Sequence, residues 1–364
     1  MNYDAVLLTS FGGPESSDEV MPFLERVTAG RGIPKERLEE VSHHYLNLGG
    51  VSPINEQNRE LLGALREEME LRDIKIPIYL GNRNSEPFFT DVLKNIYADG
   101  HRRVLSLVTS AYSSYSGCRQ YRENLAQALI DADLVGDMRI DKVRHYFDHP
   151  GFVTPFANGL IQALRTLVSE GYESRDIQIL FTTHSIPISM SETSGPEDIR
   201  GTVEDGIYVA QHNATAKVVL EMAGRQFGGS LPRWSLVYQS RSGAPHTPWL
   251  EPDIGDALRE GAKSGIKAVI TIPIGFVSDH VEVIWDLDHE AMEIAKEENL
   301  RFIRVATPGK SSEFVSGLID LVQERLSNSK PAALSPLGPW RNFCSVDCCP
   351  NPRRDLPTVA EIPL

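Results

Sequence analysis

Eight short apolar runs, each followed by a longer stretch with helical periodicity, confine this chain to a small set of folds. The runs are 4–11 (DAVLLTSF), 76–81, 104–112, 143–148, 177–183, 234–240, 268–274 and 302–308. Continuous apolar segments of this length suit strands buried on both faces, and helical patterns between them supply the crossovers that parallel strands require. Helical patterns occupy 59–72, 86–100, 121–134, 153–171, 203–224 and 253–265. Eight strands divide into two groups of four, and 364 residues exceed the size at which one core keeps growing. The expectation is an α/β chain with two four-stranded parallel sheets flanked by helices and a cleft between them. Its units are 1–150, 151–310, and 311–364 carrying a final helix and an arm, with a seam near His149–Pro150–Gly151.

Charge and composition exclude several classes of function. A net charge of −14 does not suit a phosphate backbone, so nucleic acid is not expected as a partner. No run approaches the 18 apolar residues of a membrane span, and the first twenty residues enter a strand without the pattern of an export signal. Four cysteines are too few for a disulfide framework and agree with a reducing compartment, so a soluble cytoplasmic protein is expected.

Two strand exits carry chemistry. The run 268–276 ends in SDHVEVIWDLDHE, which brings His280 and Glu282 out at a carboxyl edge. Asp279, Glu282, Asp286, His289, Glu290 and Glu293 follow at spacings of three and four, opposite Ile284, Leu287, Ala291 and Ile294. A solvated acidic face would have the same pattern, but open parallel sheets bind ligands outside the carboxyl ends of their strands. The run from Asp176 repeats the arrangement and delivers His184 before a turn at Pro187. Near the carboxyl terminus, Cys344, Cys348 and Cys349 crowd into NFCSVDCCPNPR, in an arm rich in proline and serine, and Cys118 is the remaining cysteine. Such a set suits thiolate ligation with Cys118 as fourth donor, and spacing leaves zinc and iron–sulfur both open.

LLTSFGGPES, GGVSPINEQN (49–58), TTHSIP (182–187), YQSRSGAPHTPWLEP (238–252) and PIGFVSDHVEVIWDLD (273–288) together resemble the ferrochelatases, within them the actinobacterial type that inserts iron into coproporphyrin III. The resemblance spans nearly the whole chain, and its THSIP and SDHxE segments are specific as an ordered pair. It implies two Rossmann-like, chelatase-type domains with a porphyrin cleft between them, His184 as the active-site histidine and Glu282 as its facing carboxylate. Ferrous iron is then a substrate held by His184 and Glu282, with Asp286 as a proton or cation relay leading on to Glu290. Cys118, Cys344, Cys348 and Cys349 resemble the ligands of a 2Fe-2S cluster, which favours iron–sulfur over zinc. Arg31, Tyr45, Ser52, Tyr112 and Ser113 are nominated by resemblance as donors to the porphyrin carboxylates.

Metal insertion needs two pyrrole protons removed, a partly dehydrated cation and a distorted ring. A neutral imidazole with an ordinary pKa near ~6.5 suits proton acceptance or iron ligation, and a carboxylate suits the second proton or an oxygen ligand. Related bacillus-type enzymes carry a tyrosine in the loop after the first strand, where this chain has Phe11, which cannot ligate. His184 therefore stands as the sole expected protein ligand of the product iron. The chain also lacks the apolar lip of membrane-associated members, which leaves a soluble monomer passing its product to a downstream haem-synthesis enzyme. The competing readings are a protoporphyrin IX ferrochelatase, a cobalt chelatase acting on a corrinoid precursor, a non-catalytic porphyrin or metal carrier, and an electron carrier built around the cysteines.

Overall fold

Strands β1 (Ala5–Ser10), β2 (Ile78–Asn82), β3 (Arg103–Val108) and β4 (Arg139–Lys142) pair in parallel in the order β2-β1-β3-β4. Strands β5 (Ile177–His184), β6 (Arg233–Gln239), β7 (Ala268–Ile272) and β8 (Arg301–Arg304) repeat that order as β6-β5-β7-β8. These assignments come from a computed structural model that describes residues 3–30, 32–242, 246–327 and 329–359.

The helices are α1 (Val20–Thr28), α2 (Lys35–Asn47), α3 (Ile54–Leu71), α4 (Phe89–Ala98), α5 (Gln120–Asp131), α6 (Pro150–Ser169), α7 (Ile188–Glu192), α8 (Gly206–Phe227), α9 (Ile254–Lys263), α10 (Val281–Val283), α11 (Met292–Glu297) and α12 (Ser312–Ser327). Among the described residues no helix is long and apolar enough to cross a membrane.

Alternation along the strands feeds separate cores. Val6 and Leu8 of β1, Ile179 and Phe181 of β5, and Ile270 and Ile272 of β7 enter one large core that both halves share. Ala5 and Leu7 face a second core under α4 and α5, while Leu180 and Val269 face a third under α9 and α11. The seam expected at 150 falls at the start of α6, whose Phe152, Phe156 and Leu160 lie in the shared core against α8 and α12.

One strand differs from its expected place. The 143–148 run is buried but unpaired, and the polar segment Arg139–Lys142 takes the edge position instead. Register explains this: Arg103–Ser106 of β3 pair with Arg139–Lys142, and Val143 adds one last bond to Ser106. Beyond it Tyr146 and Phe147 turn into the shared core, while Arg144 forms a buried two-pronged pair with Glu324 at 2.7 and 2.9 Å. Polar edge strands of four residues carry too little hydrophobic pattern to be read from sequence.

Candidate active site and cysteine centre

His184 ends β5 and Glu282 lies in α10 after β7, so the two come from adjacent strands of one sheet. The crossover from β5 runs to β6 on one side and β7 lies on the other, so a crevice opens where the strand order reverses. His184 Nε2 stands 3.9 Å from Glu282 Oε2, with both side chains partly exposed to the crevice. His184 Nδ1 meets the Ser185 carbonyl oxygen. A carbonyl only accepts, so Nδ1 carries a proton and Nε2 is the nitrogen that faces Glu282.

Asp286 lies one turn behind Glu282. Burial pushes its carboxyl up to about 7, and the charges of Glu282 and Glu290 add to the rise, against opposing hydrogen bonds from Ser240 and Gln239. Ser240, at a φ of 61°, donates its hydroxyl to Asp286 Oδ2. Gln239 Nε2 approaches the same oxygen at 3.3 Å and the Glu282 carbonyl at 3.4 Å.

The segment Ile284–Ala291 is a π-helix between α10 and α11, a rare form concentrated at functional sites. Its wider turn brings residues four apart closer to alignment, which suits a file of Glu282, Asp286 and Glu290. Leu287 and Ala291 are buried on the other side, as the apolar stripe requires. Asp279 does not belong to the file. It turns away to Arg304, at 3.0 Å, which also grips Asp288 at 2.6 Å. Trp285 stacks on His44 with ring centroids 4.6 Å apart and on His289 at 5.2 Å, and donates to Glu290 Oε1 at 2.8 Å.

The amino-terminal half roofs this crevice. Val281 packs with Val20, Phe23, Leu24, Leu38 and Tyr45 of α1 and α2. Burial raises the Tyr45 phenol, and the nearby charges of Glu282 and Asp286 raise it further, so Tyr45 stays a neutral group beside the acidic file. Phe11 is edge-on to Phe23 at 6.0 Å and lies beneath the Arg83 guanidinium at 4.6 Å.

The other nominated donors fare differently. Ser52 is buried against Gly13, where an added Cβ would come within 2.6 Å of it. Tyr112 gives its hydroxyl to the Ile274 carbonyl at 2.9 Å, lies 3.2 Å from the Thr215 hydroxyl and stacks on His212 at 3.6 Å. Ser113 is fully buried, its amide and hydroxyl both bound to Gln211. Tyr112 and Ser113 thus join the halves, with their polar groups already engaged. Arg31 lies outside the described residues.

All four cysteines converge. Cys118 sits in a π turn, Tyr115–Arg119, before α5 and is completely buried, as nearly are Cys348 and Cys349. Cys118 and Cys344 bring their sulfurs to 3.9 Å, Cys348 and Cys349 to 3.8 Å, and none forms a disulfide. The neighbouring thiols, Cys344 first, hold Cys118 well below the ordinary range, and proximity and burial push the other three up. Among the described residues no three histidine, cysteine or carboxylate side chains form a site for a single metal ion; the thiols meet as two pairs. The arm that carries them is tied down by Arg119 to the Val346 carbonyl, Arg122 to the Ser345 carbonyl at 3.3 Å, and Arg341 to Asp198 at 2.9 Å. Gly195 N donates to Cys349 Sγ at 3.2 Å.

The family model described as ferrochelatase matches residues 3–326. The chain is 52% identical over 355 residues to a coproporphyrin III ferrochelatase of Streptomyces coelicolor, covering 96% of this chain and 93% of that one. It is 45% identical over 363 residues to a ferrochelatase of Rhodopirellula baltica, covering 98% and 96%. Among solved structures, SirB from Bacillus subtilis with Fe3+ aligns with a TM-score of 0.50 at 9% identity, covering 90% of this chain and 97% of that chain, which bears on the fold alone.

Proposed function

The chain belongs to the ferrochelatase family, and we propose that it inserts ferrous iron into coproporphyrin III with His184 and Glu282 as the reacting side chains. The single observation that carries the assignment of roles is the facing pair itself: an imidazole nitrogen and a carboxylate 3.9 Å apart at the reversal of strand order. Relatives named coproporphyrin III ferrochelatase, about half identical over nearly their whole length, support the choice of porphyrin.

The macrocycle enters the crevice beneath α1 and α2, where the partly buried Phe11 offers an apolar wall backed by Phe23 and Tyr45. His184 Nε2 accepts one pyrrole proton or holds the cation, and Glu282 takes the other proton or supplies oxygens. Two oxygens and one imidazole nitrogen are a donor set that ferrous iron accepts from water, and a nitrogen that has taken a proton sheds it to Glu282 before it holds iron. Asp286, poised near neutrality, exchanges protons with Glu282 and passes them toward Glu290 and solvent. Phe11 offers no ligand from the opposite wall, which leaves His184 as the protein ligand of the product iron. Tyr45 and Ser52 remain the porphyrin contacts favoured here.

The four cysteines fit a 2Fe-2S cluster. Cys118, Cys344, Cys348 and Cys349 would hold it, their sulfurs brought together at 3.9 and 3.8 Å in a buried pocket, and thiolates are the donors such a cluster takes. When bound, the cluster supplies a one-electron couple and a cross-link between arm and body. Four cysteines are too few for a disulfide framework, which supports a reducing, cytoplasmic location for a monomer that passes its product to a haem-synthesis enzyme.

The test is anaerobic incubation with ferrous iron and either coproporphyrin III or protoporphyrin IX, followed by porphyrin absorbance. Fast turnover of the first with little of the second is expected; the reverse preference moves the chain to the protoporphyrin pathway, and no turnover of either supports a carrier.

A further inference from the structure

Helix α3 is the strut between the halves. At its start Asn55 donates to the Gly13 carbonyl at 2.9 Å and Asn58 to Ser10 Oγ at 2.7 Å, which fixes the helix to the end of β1. On another face, Glu60 reaches Lys310 of the other half at 3.1 Å. At its far end Arg72 binds Asp320 and Ser316 of α12.

One turn before Glu60, Gln57 makes a contact unlike these. Its Nε2 donates to the Asp279 carbonyl at 2.8 Å, and its Oε1 accepts from the Asp279 amide at 2.9 Å. The side-chain amide thus completes both backbone groups of a single residue, as a neighbouring strand would. Asp279 cannot respond by rotating, because its carboxylate is held by Arg304 at 3.0 Å. The next residue, His280, caps α10, and Glu282 follows two residues later. His184 is set by its own strand, so the placement of Glu282 against it depends on how this turn is seated.

We propose that Gln57 is a positioning residue for iron insertion: it latches the Asp279 turn to the amino-terminal half and so holds Glu282 opposite His184. The proposal deepens the chelatase reading and rests on it. Gln is required because the contact needs a donor and an acceptor on one planar group. Asparagine is a methylene shorter, and an ionised glutamate has no donor and sets a negative charge against the Asp279 carbonyl.

Three measurements separate the possibilities. Protection of the Asp279 amide from hydrogen exchange should fall roughly tenfold in Gln57→Leu, the loss expected for one or two modest hydrogen bonds, with overall unfolding changed little. In steady-state iron insertion, kcat should fall about tenfold while KM for the porphyrin holds. Lys310→Met, which removes only the exposed Glu60 pair, should leave kcat as it is. Gln57→Glu supplies the signature that a bulk packing role would not: its neutral acid restores donor and acceptor together, so its exchange protection relative to the parent protein should return as pH falls and vanish as pH rises. Unchanged Asp279 protection in Gln57→Leu, or lost protection with unchanged kcat, overturns the latch. Absence of turnover in the parent protein instead overturns the chelatase reading, while the exchange result still decides whether the contact is a latch.

Discussion

Replacing Asp286 with asparagine should stabilise the protein in a defined pH window while slowing its reaction. Burial lifts Asp286 from 3.8 to about 7, so the fold holds this group against its ionised form. Below about pH 4 the carboxyl is neutral in folded and unfolded chains alike and costs nothing. Stability owed to the neutral form is then lost as pH rises through the folded value, and above about pH 7 the whole cost is present. At 1.36 kcal/mol for each pKa unit that cost is about 4 kcal/mol, and about 2 kcal/mol of it develops between pH 5.5 and 8. Asparagine has no charge to desolvate and keeps an oxygen for the Ser240 hydroxyl. Urea unfolding of the parent and Asp286→Asn proteins at the two pH values is the assay. The variant's advantage should widen by about 2 kcal/mol from pH 5.5 to pH 8. Two stability profiles that run parallel across that interval would refute the reasoning. Turnover should fall by about 10²-fold in the same variant, because an amide cannot exchange the proton that Glu282 must shed.

His184→Ala should reduce iron insertion by about 10²- to 10⁴-fold and leave porphyrin binding, read by fluorescence quenching, close to the parent value. Glu324→Ala strands the fully buried Arg144 guanidinium and should cost about 3–5 kcal/mol in urea unfolding; Glu324 also supports the arm, since Arg144 bonds the Ala332 carbonyl at 2.7 Å. Cys344→Ser takes away the thiol 3.9 Å from Cys118, so iron and inorganic sulfide measured on anaerobically purified protein should fall sharply, and an unchanged content would exclude these four residues as the cluster ligands.

How much of this could be read from residues alone follows from the range of each interaction. Buried parallel strands announce themselves by continuous apolar runs, and the carboxyl-end rule then brings out His184, His280 and Glu282 together; the choice of His184 and Glu282 as the pair comes from the family resemblance. The file behind Glu282 was half legible. Spacings of three and four fit an α-helix, and nothing in the pattern separates Asp286, which faces Ser240, from Asp279, which turns to Arg304. The π segment is invisible to periodicity because its apolar residues Leu287 and Ala291 fit either helix. Tyr112 and Ser113 follow the end of β3, a place where side chains point into the cleft or into the joint between halves, and only packing against His212 and Gln211 decides. Gln57 lay inside GGVSPINEQN, but its partner is a backbone 222 residues away, a contact with no signature in local sequence.

These contacts divide the labour of the site. The strands that deliver His184 and Glu282, β5 and β7, are neighbours in one sheet of the carboxyl-terminal half, while the turn that carries Glu282 is latched by Gln57 of the other half. Val281, just before Glu282, packs against Phe23 and Tyr45 of the other half. Asp286 owes its proton affinity chiefly to burial, and Tyr45 owes part of its own to Glu282 and Asp286. A latch of two hydrogen bonds beside the acidic file bears on where Glu282 stands, and so on the rate and not merely on the fold.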